Sequence, residues 1–262
     1  MLVLKLALFT SNLLSLIGGI ALLSFGVVLI NNLEYEHVWT TVPSPLPYSI
    51  SFYVKLSAFC LSVVIISVSI CGCFVVRSFS NWILAVYIFG IVILMMAECI
   101  GIILAAVAPQ NLVTKADEEL MIDMWQRNYG VPGREKYTVS IDHVQTKFEC
   151  CGVVNGNEYG TSWWSLRELS LPGLRVPLSC CVQTSIGSSR DPQPLNNTAC
   201  QNPKFEMHNL SRHMEGCRTK LKAWIGEKVD LVRNLGFSFM FAHLLLLLMT
   251  ICYCVREYSS RK

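Results

Sequence analysis

Cys150-Cys151-Gly152 stands in a long polar stretch between two apolar runs, followed by Pro177-Leu178-Ser179-Cys180-Cys181 and then by Glu215-Gly216-Cys217. A single Cys-Cys-Gly is a weak signal. Three cysteine groups in this order, enclosed by apolar runs, describe a cross-linked module carried by a membrane. The polar stretch, residues 108–234, holds Cys150, Cys151, Cys180, Cys181, Cys200 and Cys217 out of 12 cysteines in the chain. An even number in an oxidising compartment reads as three disulfides, with fifteen pairings open to six cysteines. Two sequons in the same stretch, Asn196-Asn197-Thr198 and Asn209-Leu210-Ser211, agree with that compartment and make Asn196 and Asn209 the expected N-glycosylation sites.

Outward from this module the chain is apolar. Of 262 residues, 53% are hydrophobic and 15% charged, with a mean hydropathy of +0.46. These values lie outside the range of a soluble domain. Four runs reach the roughly 20 residues that cross a bilayer core: 8–30, 56–76, 83–107 and 235–255. The first is too long for the apolar part of a signal peptide and shows no small-residue cleavage site, so it reads as a retained span. Lys5, Arg77, Arg256, Arg261 and Lys262 flank one side, whereas residues 31–54 carry Glu34 and Glu36 and no Lys or Arg. The positive-inside tendency then places both termini in the cytoplasm. The resulting order is a tail (1–7), a small extracellular loop (31–55), a cytoplasmic turn (77–82), a large extracellular loop (108–234) and a second tail (256–262). The expected fold is an all-α membrane protein: a four-transmembrane-helix bundle with a disulfide-stapled, mainly helical large extracellular domain. A dispersed net charge of +3 gives no nucleic-acid surface.

Local patterns fill in the loops. The small loop, with Pro43, Pro45 and Pro47, reads as mostly irregular. In the large loop Leu120, Met121, Met124 and Trp125 recur at helical spacing over residues 113–129, and Gly130 and Pro132 close the run. Residues 140–150 read as a second helix, with Ile141, Val144 and Phe148 on one face, and 205–233 as a third leading into the last span. Between them the sequence is rich in Gly, Ser, Pro and Asn, a loop held by disulfides with little capacity for a core of its own. In the spans, Asn12, Gly19 and Gly26 recur every seven residues, and Ala97, Gly101 and Ala105 every four. Small residues on one face let helices approach closely in lipid.

With these residues in place the chain resembles the tetraspanin family over essentially its whole length. The carriers are the three cysteine groups between the third and fourth spans, with Asn12 in the first span and Ala97-Glu98-Cys99 in the third as further matches. The resemblance implies a helical stalk capped by a variable region, about 153–212, and the pairs Cys150–Cys217, Cys151–Cys180 and Cys181–Cys200. Adjacent cysteines must reach different partners, so one short patch of chain anchors two separate strands of loop. The resemblance also supports palmitoylation of Cys71, Cys73, Cys252 and Cys254, at the cytoplasmic ends of spans two and four, against their reading as small buried apolar residues. Glu98 must be protonated, paired or hydrogen-bonded at its depth. Two readings stand: a structural glutamate bonded to Asn12 or a neighbouring serine, or a polar contact in which Glu98 and Asn12 meet a sterol hydroxyl, as family members suggest. Some members place an acid in the fourth span, where this chain has His243.

No Ser/His/Asp or Cys/His set appears, Asp142-His143 lacks metal-ligand spacing, and the loop cysteines are committed to disulfides, so an enzyme is not expected and neither is a cofactor other than a bound sterol. A channel or junction protein would need cysteines in the first loop or more polar residues in the spans. The reading reached is a membrane scaffold that organises other membrane proteins laterally, as homo- and hetero-oligomers with related proteins and in contact with membrane lipids. The alternative is an organiser of curved membranes by self-assembly. The expected setting is the plasma membrane or endosomal membranes. Trp163, Trp164 and Leu166 read either as partner contacts or as a small core beneath the loop.

Overall fold

The computed structural model describes residues 2–44, 47–78, 80–111, 115–184 and 191–261; Pro45, Val113, Lys262 and the side chain of Arg261 lie outside the described residues. Among them the α-helices are α1 (Leu2–Asn31), α2 (Leu33–Thr40), α3 (Ile50–Arg77), α4 (Asn81–Asn111), α5 (Lys115–Asn128), α6 (Glu135–Phe148), α7 (Trp163–Leu166), α8 (Asn197–Cys200), α9 (Phe205–His208) and α10 (Cys217–Arg261). The chain forms two compact units. A span unit comprises Met1–Asn31, Tyr53–Val107 and Val229–Lys262, and a loop unit comprises Asn32–Phe52 and Ala108–Lys228.

In the span unit the long Leu, Ile, Val and Phe runs form uninterrupted helices, the one open conformation that satisfies every backbone group internally in lipid. α1 already begins at Leu2, so the expected tail is helical. Only 17–22% of each apolar window is buried within the chain, which leaves the greater part of each helix needing a non-aqueous surrounding. Leu8, Val75, Tyr87, Ile91, Leu246 and Tyr253 form the inner core. The seven-residue series on α1 is all buried. A Cβ on Gly19 would meet Ile66 at 2.9 Å, one on Gly26 would meet Ala58 at 3.9 Å, and one on Gly72 of α3 would enter the side chain of Asn12. The series on α4 behaves differently from expectation. Gly101 meets nothing within 4 Å, so that helix face is open at this turn.

The loop unit corrects three readings. Its small loop is not mostly irregular. Asn32 caps α2 by accepting from the Glu34 amide at 3.0 Å, and Glu34 and Glu36 in the first turn suit the positive end of the helix dipole. Second, residues 205–233 are not one helix. The short α9 ends at His208 and α10 starts at Cys217. Between them the backbone is drawn into other pairings: Val182 N donates to Ser211 O at 3.0 Å, and His213 N donates to Cys180 O at 2.9 Å. Third, the variable region does build core. Val153, Tyr159, Trp164 and Val176 join Met121, Trp125, Ile141, Val144, Leu221 and the six disulfide cysteines in one cluster.

α2 packs on α6 within this unit. His37 Nδ1 lies 2.9 Å from Ser140 Oγ, with ion pairs Lys136–Glu36 at 2.9 Å and Lys147–Glu34 at 3.2 Å. The Trp125 indole donates to Thr41 O at 2.9 Å. α6 starts five residues before the expected Ser140 and closes at Glu149, whose left-handed φ of 52° turns the chain into Cys150.

Candidate functional site

The cysteine groups are brought together by backbone pairing as well as by sulfur. Cys150 is bonded to Cys217, Cys151 to Cys180 and Cys181 to Cys200, across 67, 29 and 19 residues. Cys151 N donates to Glu215 O at 2.9 Å, and Cys217 N donates to Gly152 O at 2.9 Å. This close approach explains both glycines. A Cβ on Gly216 would run into the carbonyls of Val153 and Val154, and Gly152 combines a φ of +67° with the carbonyl of Asn155 where its Cβ would lie. Only glycine fits either position.

The next turn is held by Glu158. Its carboxylate accepts from the amides of Val153 at 2.8 Å, Val154 at 2.7 Å and Asn155 at 3.1 Å, completing a capping box with Asn155. Further along, Gln201 mimics a peptide unit. It accepts from Arg175 N at 2.7 Å and Val176 N at 3.1 Å and donates to Val176 O at 3.1 Å. The Arg212 guanidinium, with its usual high pKa lowered by burial, donates to Cys200 O. The Asn-x-x-Glu spacing of Asn155 and Glu158 is a signal that sequence reading could have used. Gln201 and Arg212 gave none, because their partners are backbone carbonyls and amides brought near by the fold.

Beneath the variable region lies a polar chain. Asp142 Oδ1 accepts from Tyr129 Oη at 2.9 Å and from Ser179 Oγ at 2.6 Å. Ser179 Oγ is also 2.7 Å from Gln145 Oε1, and Gln145 Nε2 donates to Tyr159 Oη at 2.7 Å. The single Ser179 proton serves one acceptor at a time. Burial pushes the Asp142 carboxyl up to about 6, opposed by the hydrogen bonds from Ser179 and Tyr129. The Tyr129 and Tyr159 phenols are also pushed well up, first by burial and then by the Asp142 charge.

The three candidate contact residues separate. Trp164 is not a surface contact. It is 7% exposed and stands edge-on to Tyr129 and Tyr159, with ring centroids 5.6 Å and 6.0 Å away. The hydrophobic return from burying an indole outweighs its display. Trp163 is half-buried, with the guanidinium of Arg167 4.0 Å and that of Arg127 5.9 Å from its ring centre. Leu166 is 67% exposed. Other apolar side chains stand out with it: Leu171, Leu195, Phe205, Met207 and Leu210. Asn196 and Asn209 are both exposed. Asn196 uses its oxygen, not its amide nitrogen, to cap α8 by accepting from Ala199 N at 3.0 Å.

Among the spans, Asn12 and Glu98 are not partners. Asn12 donates to Leu8 O at 2.8 Å and accepts from Tyr87 Oη at 2.9 Å, seated over Gly72. Glu98 Oε1 instead lies 2.7 Å from His243 Nδ1, both side chains 7% exposed, and Glu98 Oε2 is buried with no partner among the described residues. His243 is the polar group the sequence placed in the fourth span without a partner. Cys252 is exposed, and Cys71, Cys73 and Cys254 are half-buried, all as free thiols; Cys60 and Cys99 are free as well.

The family model described as Tetraspanin family matches residues 4–256. CD151 antigen of Rattus norvegicus is 26% identical to this chain over 95% of it and 90% of that protein. Tetraspanin-11 of Homo sapiens is 24% identical over 95% and 90%. CD82 antigen of Homo sapiens is 23% identical over 98% and 94%. With four helices long and apolar enough to cross a membrane, this is a multi-pass membrane protein.

Proposed function

Because the chain belongs to the tetraspanin family, we propose that it is a non-enzymatic scaffold that gathers other membrane proteins beside it in the bilayer. The observation that carries this reading is the display of Leu166, Leu171, Phe205, Met207 and Leu210 on a frame fixed by three disulfides. Exposed apolar side chains on a pre-ordered frame lose little conformational entropy when a partner covers them. The partner is the ectodomain of a membrane protein, with self-association and association with related proteins extending the assembly through the spans. Both termini face the cytoplasm, glycans on Asn196 and Asn209 face outward, and the protein works at the plasma membrane or in endosomal membranes. Acylation of Cys71, Cys73, Cys252 and Cys254 tunes clustering from the inner leaflet. A sterol hydroxyl is the lipid contact proposed for Glu98, whose Oε2 is the acceptor that His243 leaves open.

The test is cross-linked co-purification of the full chain from cells in mild detergent, comparing wild type with Phe205→Ser/Leu210→Ser. Both positions are exposed, so the fold and surface delivery should be unchanged while partner recovery falls severalfold. Equal recovery from both would sink the role given to this surface.

A further inference from the structure

A cavity of about 230 Å³ opens in the loop unit beside the Asp142 carboxyl. Its inner walls come from the buried residues Tyr129, Trp164 and Pro177, and the exposed Leu169 and Leu171 form its rim. Asp142 is the ionisable carboxylate in an otherwise apolar and aromatic lining. Both of its donors, Tyr129 and Ser179, go to Oδ1, and Oδ2 receives no hydrogen bond from the described residues. Among the described residues its hydrogen-bond donors are the neutral Tyr129 and Ser179, and no cationic side chain lines the cavity. A half-buried carboxylate in an apolar lining, with no cationic partner among the described residues, is held at a disadvantage that a cation would reduce.

From this geometry we infer that the Asp142 cavity is a docking pocket for one basic side chain, an arginine or lysine, of a partner polypeptide. The inference deepens the scaffold reading and rests on it. Size selects the occupant. Sites for drug-sized ligands run from about 300 to 1,000 Å³, so this cavity matches a single inserted side chain rather than a free metabolite. Chemistry selects the charge. The aliphatic stem of Arg or Lys fits the leucine rim and proline wall, and its head reaches an acceptor with lone pairs to spare. Enclosure by Tyr129 and Trp164 adds attraction between cation and aromatic ring. A buried, apolar-rimmed pocket that accepts one anchoring side chain is the usual arrangement of an interface hot spot. The groups facing Asp142 are Tyr129 from α5, Tyr159 from the 3-10 turn at Gly156–Thr161 and Ser179 from the turn at Leu178–Cys180, with Gln145 of α6 behind Ser179. Since the carboxyl takes up a proton near pH 6, the pocket holds its cation at neutral pH and loses its hold as the surroundings acidify.

The test uses the full chain in detergent micelles and ligand-observed saturation-transfer NMR. The probes are Nα-acetyl-arginine methylamide, the lysine analogue, and the citrulline analogue, which keeps the shape of arginine without its charge. The arginine and lysine probes should bind at pH 7.4 about tenfold or more tightly than citrulline, and weaken at pH 5. Asp142→Asn should abolish the preference, whereas Asp123→Asn, at an exposed carboxylate paired with Arg127, should keep it. Equal binding of arginine and citrulline to the wild type overturns the inference without reliance on any variant, and so does a preference that survives in Asp142→Asn. A second arm repeats the cross-linked co-purification. Partner loss with Asp142→Asn supports a polypeptide source. Undiminished recovery with Asp142→Asn refutes the pocket and leaves the scaffold reading standing. No membrane-protein partner with the wild type refutes the scaffold reading, and with it the polypeptide source.

Discussion

Replacing Asp142 by Asn should make the loop unit's stability depend on pH in a different way from the wild type, by an amount the structure sets. The carboxyl titrates near 6 in the folded chain against an ordinary value of 3.8. The folded state therefore takes up a proton before the unfolded state does. A raised carboxyl favours folding most below pH 3.8, and that contribution is lost as pH rises through about 6. The difference of about two pKa units corresponds to about 3 kcal/mol. Asn keeps the shape and can still accept from Tyr129 and Ser179, but it carries no charge to bury. The stability of Asp142→Asn relative to wild type should accordingly rise by about 2.5 kcal/mol between pH 4 and pH 7.5, less than the full difference because the unfolded carboxyl is already more than half ionised at pH 4. Any constant loss from altered hydrogen bonding cancels in that comparison. The assay is urea titration of the full chain in detergent at several pH values with disulfides intact, followed by tryptophan emission, since Trp125 and Trp164 are core residues. A stability difference that stays flat from pH 4 to pH 7.5 would show that Asp142 titrates alike in the folded and unfolded chain, contrary to the raised carboxyl.

Three further outcomes follow from particular contacts. Gly216→Ala places a methyl group against the Val153 and Val154 carbonyls, and should destabilise the loop unit by about 1–3 kcal/mol or more, read as intracellular retention and loss of binding by conformation-sensitive loop antibodies. His243→Leu strips Glu98 Oε1 of its 2.7 Å partner, and should lower thermal stability in micelles by about 1–2 kcal/mol; Glu98→Leu/His243→Leu should recover part of that loss, and a double variant weaker than the single one would contradict the pairing. Exposed Asn196 and Asn209 should each carry a glycan, so each Asn→Gln should increase gel mobility by one step, and glycosidase should have no effect on the double variant.

The spans were legible because a run of apolar residues long enough to cross a bilayer has few other uses. The α1 series Asn12, Gly19 and Gly26 was legible because packing in lipid repeats along a helix. What escaped the sequence was non-local. Glu98 and His243 are 145 residues apart, and nothing near Glu98 in the chain distinguishes His243 from Asn12 as its partner. Asp142 adjoins His143 in the chain, whereas its partners Tyr129 and Ser179 come from α5 and from the Pro-Leu-Ser-Cys-Cys segment. Trp163 and Trp164 are adjacent and identical in type, yet only the fold decides that one indole joins Tyr129 and Tyr159 while the other meets two arginines. α2 was different. Its cap, Asn32 ahead of Glu34 and Glu36, was present in the sequence and was outweighed by three nearby prolines. The end of α9 also misled, since helical composition continues past His208 while the backbone there pairs with the Cys180–Val182 segment.

The scaffold reading makes other membrane proteins the neighbours of this chain in an undisturbed bilayer. The most direct measurement is detergent-free extraction of the full chain in native lipid nanodiscs, followed by quantitative mass spectrometry of each disc's protein content. A scaffold should carry a second integral membrane protein at a fixed ratio to this chain, with that ratio reduced severalfold by Phe205→Ser/Leu210→Ser. Discs that contain this chain with lipid alone, or only further copies of itself, would contradict the scaffold reading.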